Sequence, residues 1–391
     1  MIALSKMVAG EATVSEKLTY KSKERIPKAL AEASKKPIPV VVWNSTAKCN
    51  LNCVHCYAAE SFNGEELTTE EAKRMIDDLA AMKVPVILFS GGEPLLRSDI
   101  YELISYAKSK GIHSSLSTNG TLIDENAAAK LKEAGVDYVG VSLDGSEEVN
   151  DEFRGLKGAF KKALSGLLNA KEENILTGIR FTVTKFNYEE VPKLLDLAVE
   201  YEIPRFCLYH LVPSGRADFE IDISNKIRRE LMNWLFEKAI ELRDEKEKVE
   251  ILTVDNPADG IFFYLKLKEM DENLAEEAFE FLKIRGEDNS GFRIADIDMY
   301  GNVHPNQFWW DYTVGNVREE KFSEIWLNPK DELLKKLREK HKYISGKRCG
   351  RCNYKLYCGG FRLRALRHGD LWGDDPSCYL KEEEIFETKP P

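Results

Sequence analysis

Nowhere in this 391-residue chain does an apolar run approach the roughly 18 positions of a membrane-crossing helix, so no transmembrane segment is expected. The amino terminus, MIALSKMVAGEATVSEKL, has too short an apolar stretch and too many early charges for a secretory signal. The expected location is the cytoplasm. An excess of positive charge is also missing: Lys and Arg total 56 against 66 Asp and Glu, a formal net charge of −10. That excludes a general nucleic-acid binder, although a local basic pocket on an acidic protein can still accept an anion. Low-complexity stretches and solenoid-type repeats are absent. Disorder is excluded too, because 43% hydrophobic and 10% aromatic residues provide ample core. The length suits two or three domains.

The informative residues are the eight cysteines. Without an export signal they do not read as a disulfide framework. Three lie at Cys49, Cys53 and Cys56, and four at Cys349, Cys352, Cys358 and Cys378. Cys207 stands alone in an apolar stretch and reads as an inert small hydrophobe. Two tight groups far apart suggest two metal sites.

From residue 38 onward, short apolar runs alternate with amphipathic ones. Strands are predicted at Pro39–Trp43, Val84–Phe89, Ser114–Ser117, Tyr138–Ser142, Gly178–Val183 and Arg205–Leu208. Their near-continuous Val, Ile, Leu and Phe fit a parallel sheet buried on both faces. Between them, Thr68 and Glu71 form a capping box, Asp124 caps a helix stopped by Gly135, and two more helices span 159–171 and 191–201. Six βα units predict an α/β fold with a complete or partial (β/α)6 TIM-type barrel; an open doubly wound sheet is the competing architecture. Beyond 256 the rhythm changes to helical, charged sequence, a hairpin over 293–305 and a loop-rich cysteine segment. The expected units are an extension over 1–37, a barrel over 38–256 and a cysteine-bearing domain over 257–391.

Cys49, Cys53 and Cys56 follow directly on the first predicted strand, in TAKCNLNCVHCYAAE. Three thiolates from one loop can hold three irons of a cubane and leave the fourth open, as a catalytic site requires. The alternative is a structural zinc site, with His55 the nearest fourth ligand. The CxxxCxxC loop resembles that of the radical S-adenosylmethionine (SAM) enzymes. So do Ser90-Gly91-Gly92-Glu93-Pro94 after the second strand, Ser117-Thr118-Asn119-Gly120 after the third and Ser142-Leu143-Asp144-Gly145 after the fourth. The resemblance implies a partial barrel whose 4Fe-4S cluster binds SAM. It assigns Gly91, Gly92, Glu93, Ser117, Asn119, Ser142, Asp144, Arg154 and Val212 to SAM. Reductive cleavage of SAM then yields a 5′-deoxyadenosyl radical that abstracts hydrogen from substrate. No catalytic side chain is singled out.

Cys349, Cys352, Cys358 and Cys378 provide four thiolates, and spacing alone suits zinc as well as iron–sulfur. In a radical SAM context they resemble one auxiliary 4Fe-4S site of the SPASM extension. The other auxiliary positions are missing, with Arg362 and Asn306 where cysteines would stand. That implies one auxiliary cluster. VVVWNST, VHPNQFW, VGNVR and CGGFRLRA resemble a SPASM subset that acts on tetrapyrroles. This implies a siroheme-derived substrate and a role in haem biosynthesis, with removal of acetate side chains from didecarboxysiroheme to give iron-coproporphyrin III. The alternatives are the haem d1-type reaction, which removes propionates, and peptide or protein modification. An iron–sulfur electron carrier has no use for an open three-cysteine loop. An electron donor such as ferredoxin or flavodoxin is implied.

Low-specificity candidates for substrate contact are Arg362, Arg364 and Arg367, which could clamp carboxylates, together with His304 and Asn306. His304 or His210 could ligate substrate iron. Each has an ordinary structural alternative: charge balance around thiolates, or a hydrogen-bonded core histidine. Trp309 and Trp310 could stack on a macrocycle or fill a core.

Overall fold

The computed structural model describes residues 1–9, 36–58, 64–285 and 287–391. Its framework is one eleven-stranded sheet in the order β1-β8-β7-β6-β5-β4-β3-β2-β9-β10-β11. The strands are β1 (Ile2–Ala3), β2 (Val40–Asn44), β3 (Val86–Ser90), β4 (His113–Thr118), β5 (Tyr138–Ser142) and β6 (Leu176–Val183). There follow β7 (Arg205–His210), β8 (Glu250–Val254), β9 (Ile294–Ile297), β10 (Asn302–His304) and β11 (Gly315–Asn316). β2 through β8 are parallel and neighbour one another in chain order. A doubly wound sheet reverses its order midway; here seven strands, β2 to β8, run on in one direction and only β9 returns to the β2 edge, so it is an open, barrel-type sheet.

The six predicted strands are all present, and two more extend the parallel run. β8 adds beyond β7, and β9 pairs in parallel with β2 from the opposite edge. The hairpin expected over 293–305 forms as β9 and β10, with Gly301 at φ 88° in its turn. Its outer pairing with β2 carries the sheet across residue 256.

The helices follow local signals. Thr68 and Glu71 close a reciprocal capping box on Thr69–Ala81, whose Ala72, Met75, Ile76 and Leu79 face the sheet side of the core. Asp124 accepts from Ala127 N–H at the start of Glu125–Ala134, and Gly135 ends it at φ 85°. Ile2–Ala3 pairs antiparallel with β8, and Leu4–Ala9 follows it; the rest of the expected extension, 10–35, lies outside the described residues. Among the described residues no helix is long and apolar enough to cross a membrane.

A second, smaller core joins the barrel mouth to the cysteine segment through Val212, Phe308, Trp309, Leu337, Phe361 and Leu363. Trp309 and Trp310 are therefore buried packing residues, 1% and 5% exposed. Cys207 is buried in β7, where desolvation pushes its thiol up to about 11, an inert state.

Candidate active site

The carboxyl ends of β2 to β8 converge on a cavity of about 140 Å³ that opens to solvent. Cys49, Cys53 and Cys56 form one wall, and Ser90, Gly91, Gly92, Ser117, Asn119 and Ser142 another. Arg154, Arg180, Thr182, Val212, Asp255 and Phe308 also line it.

The cysteine loop is clamped from two sides. Gly92 N–H donates to Thr46 O at 2.8 Å and Glu93 N–H to Lys48 O at 2.7 Å. A Cβ on Gly92 would lie 2.3 Å from Lys48 O, so only glycine permits this approach. On the other side, Gly215 adopts φ +59°, and a Cβ there would lie 2.4 Å from Cys56 O. Its neighbour Arg216 donates to Cys53 O at 2.9 Å and to Asn52 Oδ1 at 2.7 Å. The Ser214-Gly215-Arg216 stretch thus holds the loop backbone, a role that sequence reasoning missed. Arg154 Nη1 approaches Cys53 Sγ at 3.6 Å, and its guanidinium is ion-paired with Asp144. Burial pushes the Cys49 thiol up to about 11 and raises Cys56 as well. His55 stacks on Phe153 with ring centroids 4.4 Å apart. Burial, then the charges of Arg154 and Arg216, hold its pKa well below the ordinary value and keep it neutral.

Seven of the nine residues expected at SAM line the cavity: Gly91, Gly92, Ser117, Asn119, Ser142, Arg154 and Val212. Glu93 and Asp144 do not. Glu93 is buried and accepts from Thr118 Oγ1 at 2.8 Å and from Asn119 N–H at 2.8 Å, which ties the glycine turn to the end of β4. Burial pushes its carboxyl up to about 7. Asp144, equally buried, accepts from Thr182 N–H at 2.6 Å and positions Arg154.

The other four cysteines, Cys349, Cys352, Cys358 and Cys378, line a separate small cavity of about 20 Å³. Backbone N–H groups of Asp375, Tyr354 and Gly360 point at the sulfurs of Cys349, Cys352 and Cys358 at 3.5, 3.3 and 3.5 Å. Among the described residues no three His, Cys, Asp or Glu side chains converge as ligands of a single metal ion. Four thiols around one cavity are the donor set of a cubane held at all four irons.

Residues 43–198 match the model of the radical SAM superfamily, and 289–353 match that of SPASM, an iron–sulfur cluster-binding domain. The chain is 47% identical to Fe-coproporphyrin III synthase of Methanosarcina barkeri, over 98% of this chain and 99% of that one. The chain belongs to the radical SAM superfamily. It is also 40% identical to pre-heme d1 synthase of Dinoroseobacter shibae, over 89% of this chain and 88% of that one. Among solved structures, Streptococcus suis SuiB bound to S-adenosylmethionine superposes with TM-score 0.71 at 19% identity, covering 90% of this chain and 80% of that one. Native anSMEcpe with bound AdoMet gives 0.68 at 21%, covering 87% and 94%. These two share the fold.

As a radical SAM enzyme with a SPASM domain, the chain uses SAM and two 4Fe-4S clusters. The donor sets fit them. Three thiols on one loop leave a corner open to SAM, whereas four close the auxiliary site.

The residues expected at the substrate are engaged elsewhere, and none of the five lines the large cavity. Arg364 is buried against Asp375 at 3.3 Å. Arg362, also buried, donates to Leu371 O at 3.1 Å and Gly373 O at 2.9 Å and approaches Cys349 Sγ at 3.9 Å. Arg367 pairs with Asp311 at 2.7 Å. Asn306 donates to Ser290 Oγ at 2.7 Å, and His304 lies between Tyr312 O at 2.7 Å and Asp298 at 3.5 Å. His210 does line the cavity, but Asp259 at 2.8 Å occupies its Nε2. For the buried ones, Arg362, Arg364, Asn306, His304 and His210, a polar group taken out of water is satisfied by the nearest fold partner, whereas Arg367 pairs at the surface. In their place the cavity presents Arg180, Tyr209, Asp255 and Gln307. Asp255 sits at φ +66° just past β8, with Oδ2 buried and without a hydrogen bond.

Proposed function

We propose that this radical SAM enzyme removes the acetate side chains of didecarboxysiroheme to give iron-coproporphyrin III, a step of haem biosynthesis. The observation that carries the reading is the 47% identity to Fe-coproporphyrin III synthase along essentially both whole chains. It is supported by the cavity at the barrel mouth, where the three-cysteine loop faces the ends of β3, β4 and β5.

In this reading Cys49, Cys53 and Cys56 hold the SAM-binding cluster, and Cys349, Cys352, Cys358 and Cys378 hold the auxiliary one. When bound, SAM and the first cluster together supply a hydrogen-abstracting 5′-deoxyadenosyl radical. The chain's part is positioning and exclusion of water. Gly91 and Gly92 bring the turn after β3 onto the cysteine loop. Ser117, Asn119, Ser142 and Val212 shape the nucleoside side, and Arg154 takes the carboxylate end, held in place by Asp144. Glu93 keeps the turn and the end of β4 in register. Residues 257–391 form the auxiliary unit, a ferredoxin or flavodoxin supplies electrons, and the reaction takes place in the cytoplasm.

The second reading is the haem d1-type removal of propionates from the same substrate, favoured by the 40% identity to pre-heme d1 synthase. Anaerobic turnover with SAM, dithionite and didecarboxysiroheme, followed by product mass analysis, separates the two. Loss of both acetates and retention of the propionates supports the first reading; loss of propionates overturns it in favour of the second.

A further inference from the structure

Along β6 the side chains alternate. Ile179, Phe181 and Val183 are fully buried, whereas Arg180 and Thr182 line the active-site cavity. Arg180 stands one inward step below Thr182, paired in register with Ser142 of β5 and Cys207 of β7.

Space for it has been cleared. A Cβ on Gly140 of the adjoining strand would lie 2.8 Å from Arg180 Cδ, and one on Gly178 would lie 2.1 Å from the Tyr138 hydroxyl. Glycine weakens a strand interior and often marks a close approach. Here it admits the arginine stem across the sheet. The guanidinium then lies over the Tyr209 ring, 4.5 Å from its centroid.

The buried arginines around the site are satisfied within the fold. Arg154 pairs with Asp144, Arg205 with Glu250, Arg228 with Asp222 and Arg364 with Asp375. Among the described residues the Arg180 side chain has neither an ion pair nor a hydrogen bond. Asp255 lines the same cavity and makes no ion pair with it. The guanidinium is partly exposed and faces the cavity, and its planar fork matches a carboxylate bidentately.

Two ligands of the proposed reaction carry carboxylates, SAM and the tetrapyrrole. Arg154 lies next to the cysteine loop, 3.6 Å from Cys53 Sγ, and Arg216 is bonded to the loop itself. Arg180 sits further down the barrel wall, over an aromatic ring. We propose that Arg180 is a specificity-determining residue that binds a carboxylate side chain of the tetrapyrrole, with Tyr209 as the floor beneath the guanidinium. The assignment rests on the tetrapyrrole reading above.

The test titrates the reconstituted holoenzyme with didecarboxysiroheme and with its fully methyl-esterified form, following the Soret band, alongside SAM affinity and iron content. Wild-type protein should bind the free acid about tenfold or more tighter than the ester, as loss of a charge-assisted pair predicts. Arg180→Gln should bring the acid down to the ester's affinity and leave ester and SAM affinity unchanged; Arg180→Lys should fall between. Should Arg180→Gln fold poorly, with low iron content, the acid–ester comparison on wild-type and Arg180→Lys protein decides. Parallel loss of SAM affinity would assign Arg180 to SAM instead, and equal loss for acid and ester would make its role structural. Equal affinity of wild type for both ligands overturns the assignment while leaving the tetrapyrrole reading intact. No binding of either ligand to wild type overturns both.

Discussion

Replacing Arg364 by alanine should cost stability before it costs substrate affinity. Its guanidinium meets Asp375 at 3.3 Å with the two side chains 0% and 1% exposed. It also donates to Leu211 O at 3.0 Å and to Asp255 O at 2.8 Å, the backbone just past β7 and β8. Asp375 in turn accepts from Phe361 N–H at 2.7 Å and Ser377 N–H at 3.0 Å, and its own N–H points at Cys349 Sγ at 3.5 Å. One arginine therefore ties the barrel mouth to the auxiliary cysteine segment. Leaving a buried partner charge uncompensated costs about 3–5 kcal/mol. The two orphaned carbonyls add about 1 kcal/mol each, and water entering the vacated space returns part of it. The net, on the order of 4 kcal/mol, is a large fraction of a typical total stability of about 5–15 kcal/mol. Denaturant titration of the anaerobic holoenzyme should show the loss, with iron released from the auxiliary site first. Arg364→Ala combined with Asp375→Ala should recover part of it, because the stranded charge is gone. An unchanged midpoint and iron content together with weakened tetrapyrrole binding would refute this reasoning and return Arg364 to the substrate.

Gly92→Ala forces a Cβ to within 2.3 Å of Lys48 O, so the glycine turn and the cysteine loop must part. We expect loss of SAM cleavage at a stability cost of about 1–3 kcal/mol, read by 5′-deoxyadenosine yield and thermal unfolding. Cys53→Ala should abolish SAM cleavage and lower the iron content from about eight to about four per chain, the auxiliary cubane remaining. Asp296 is pushed up to about 8, chiefly by burial, with His304 opposing and Asp298 adding to the rise. The folded form keeps a proton that the unfolded chain gives up above the ordinary 3.8, so stability falls as pH climbs from there toward 8. Asp296→Asn should remove that component, gaining on wild type by up to about 1.4 kcal/mol per pH unit between pH 6 and 8 in urea titrations. A pH-independent difference between the two would contradict it.

The parts of this molecule written in local pattern were readable before any coordinates. The cysteine loop, the glycine turn and the ends of β4 and β5 carry their spacing in a few consecutive residues, and β2 to β7 announce themselves as apolar runs. β9 could be read as half of a hairpin but not as a partner of β2, because pairing across some 250 residues leaves no mark on either segment. The same limit governed the arginines. Composition places Arg362, Arg364 and Arg367 beside the auxiliary cysteines, but only the fold shows that Asp375 and Asp311 already hold two of them. Arg180 was hidden for the opposite reason. Within GIRFTV it looks like a polar interruption of a buried strand, and only the curvature of the sheet turns it toward the cavity. Glu93 and Asp144 show motif position and contact coming apart: both lie in the expected turns, yet each acts by holding its neighbours.

The central claim is that radical chemistry at the three-cysteine loop is directed at a tetrapyrrole in the same cavity. The most direct test is the mass of 5′-deoxyadenosine formed by the reconstituted enzyme with didecarboxysiroheme deuterated along its side chains and ring perimeter. Transfer of deuterium into 5′-deoxyadenosine, in step with appearance of iron-coproporphyrin III, is the predicted result. Unlabelled 5′-deoxyadenosine with the tetrapyrrole recovered unchanged would contradict the account.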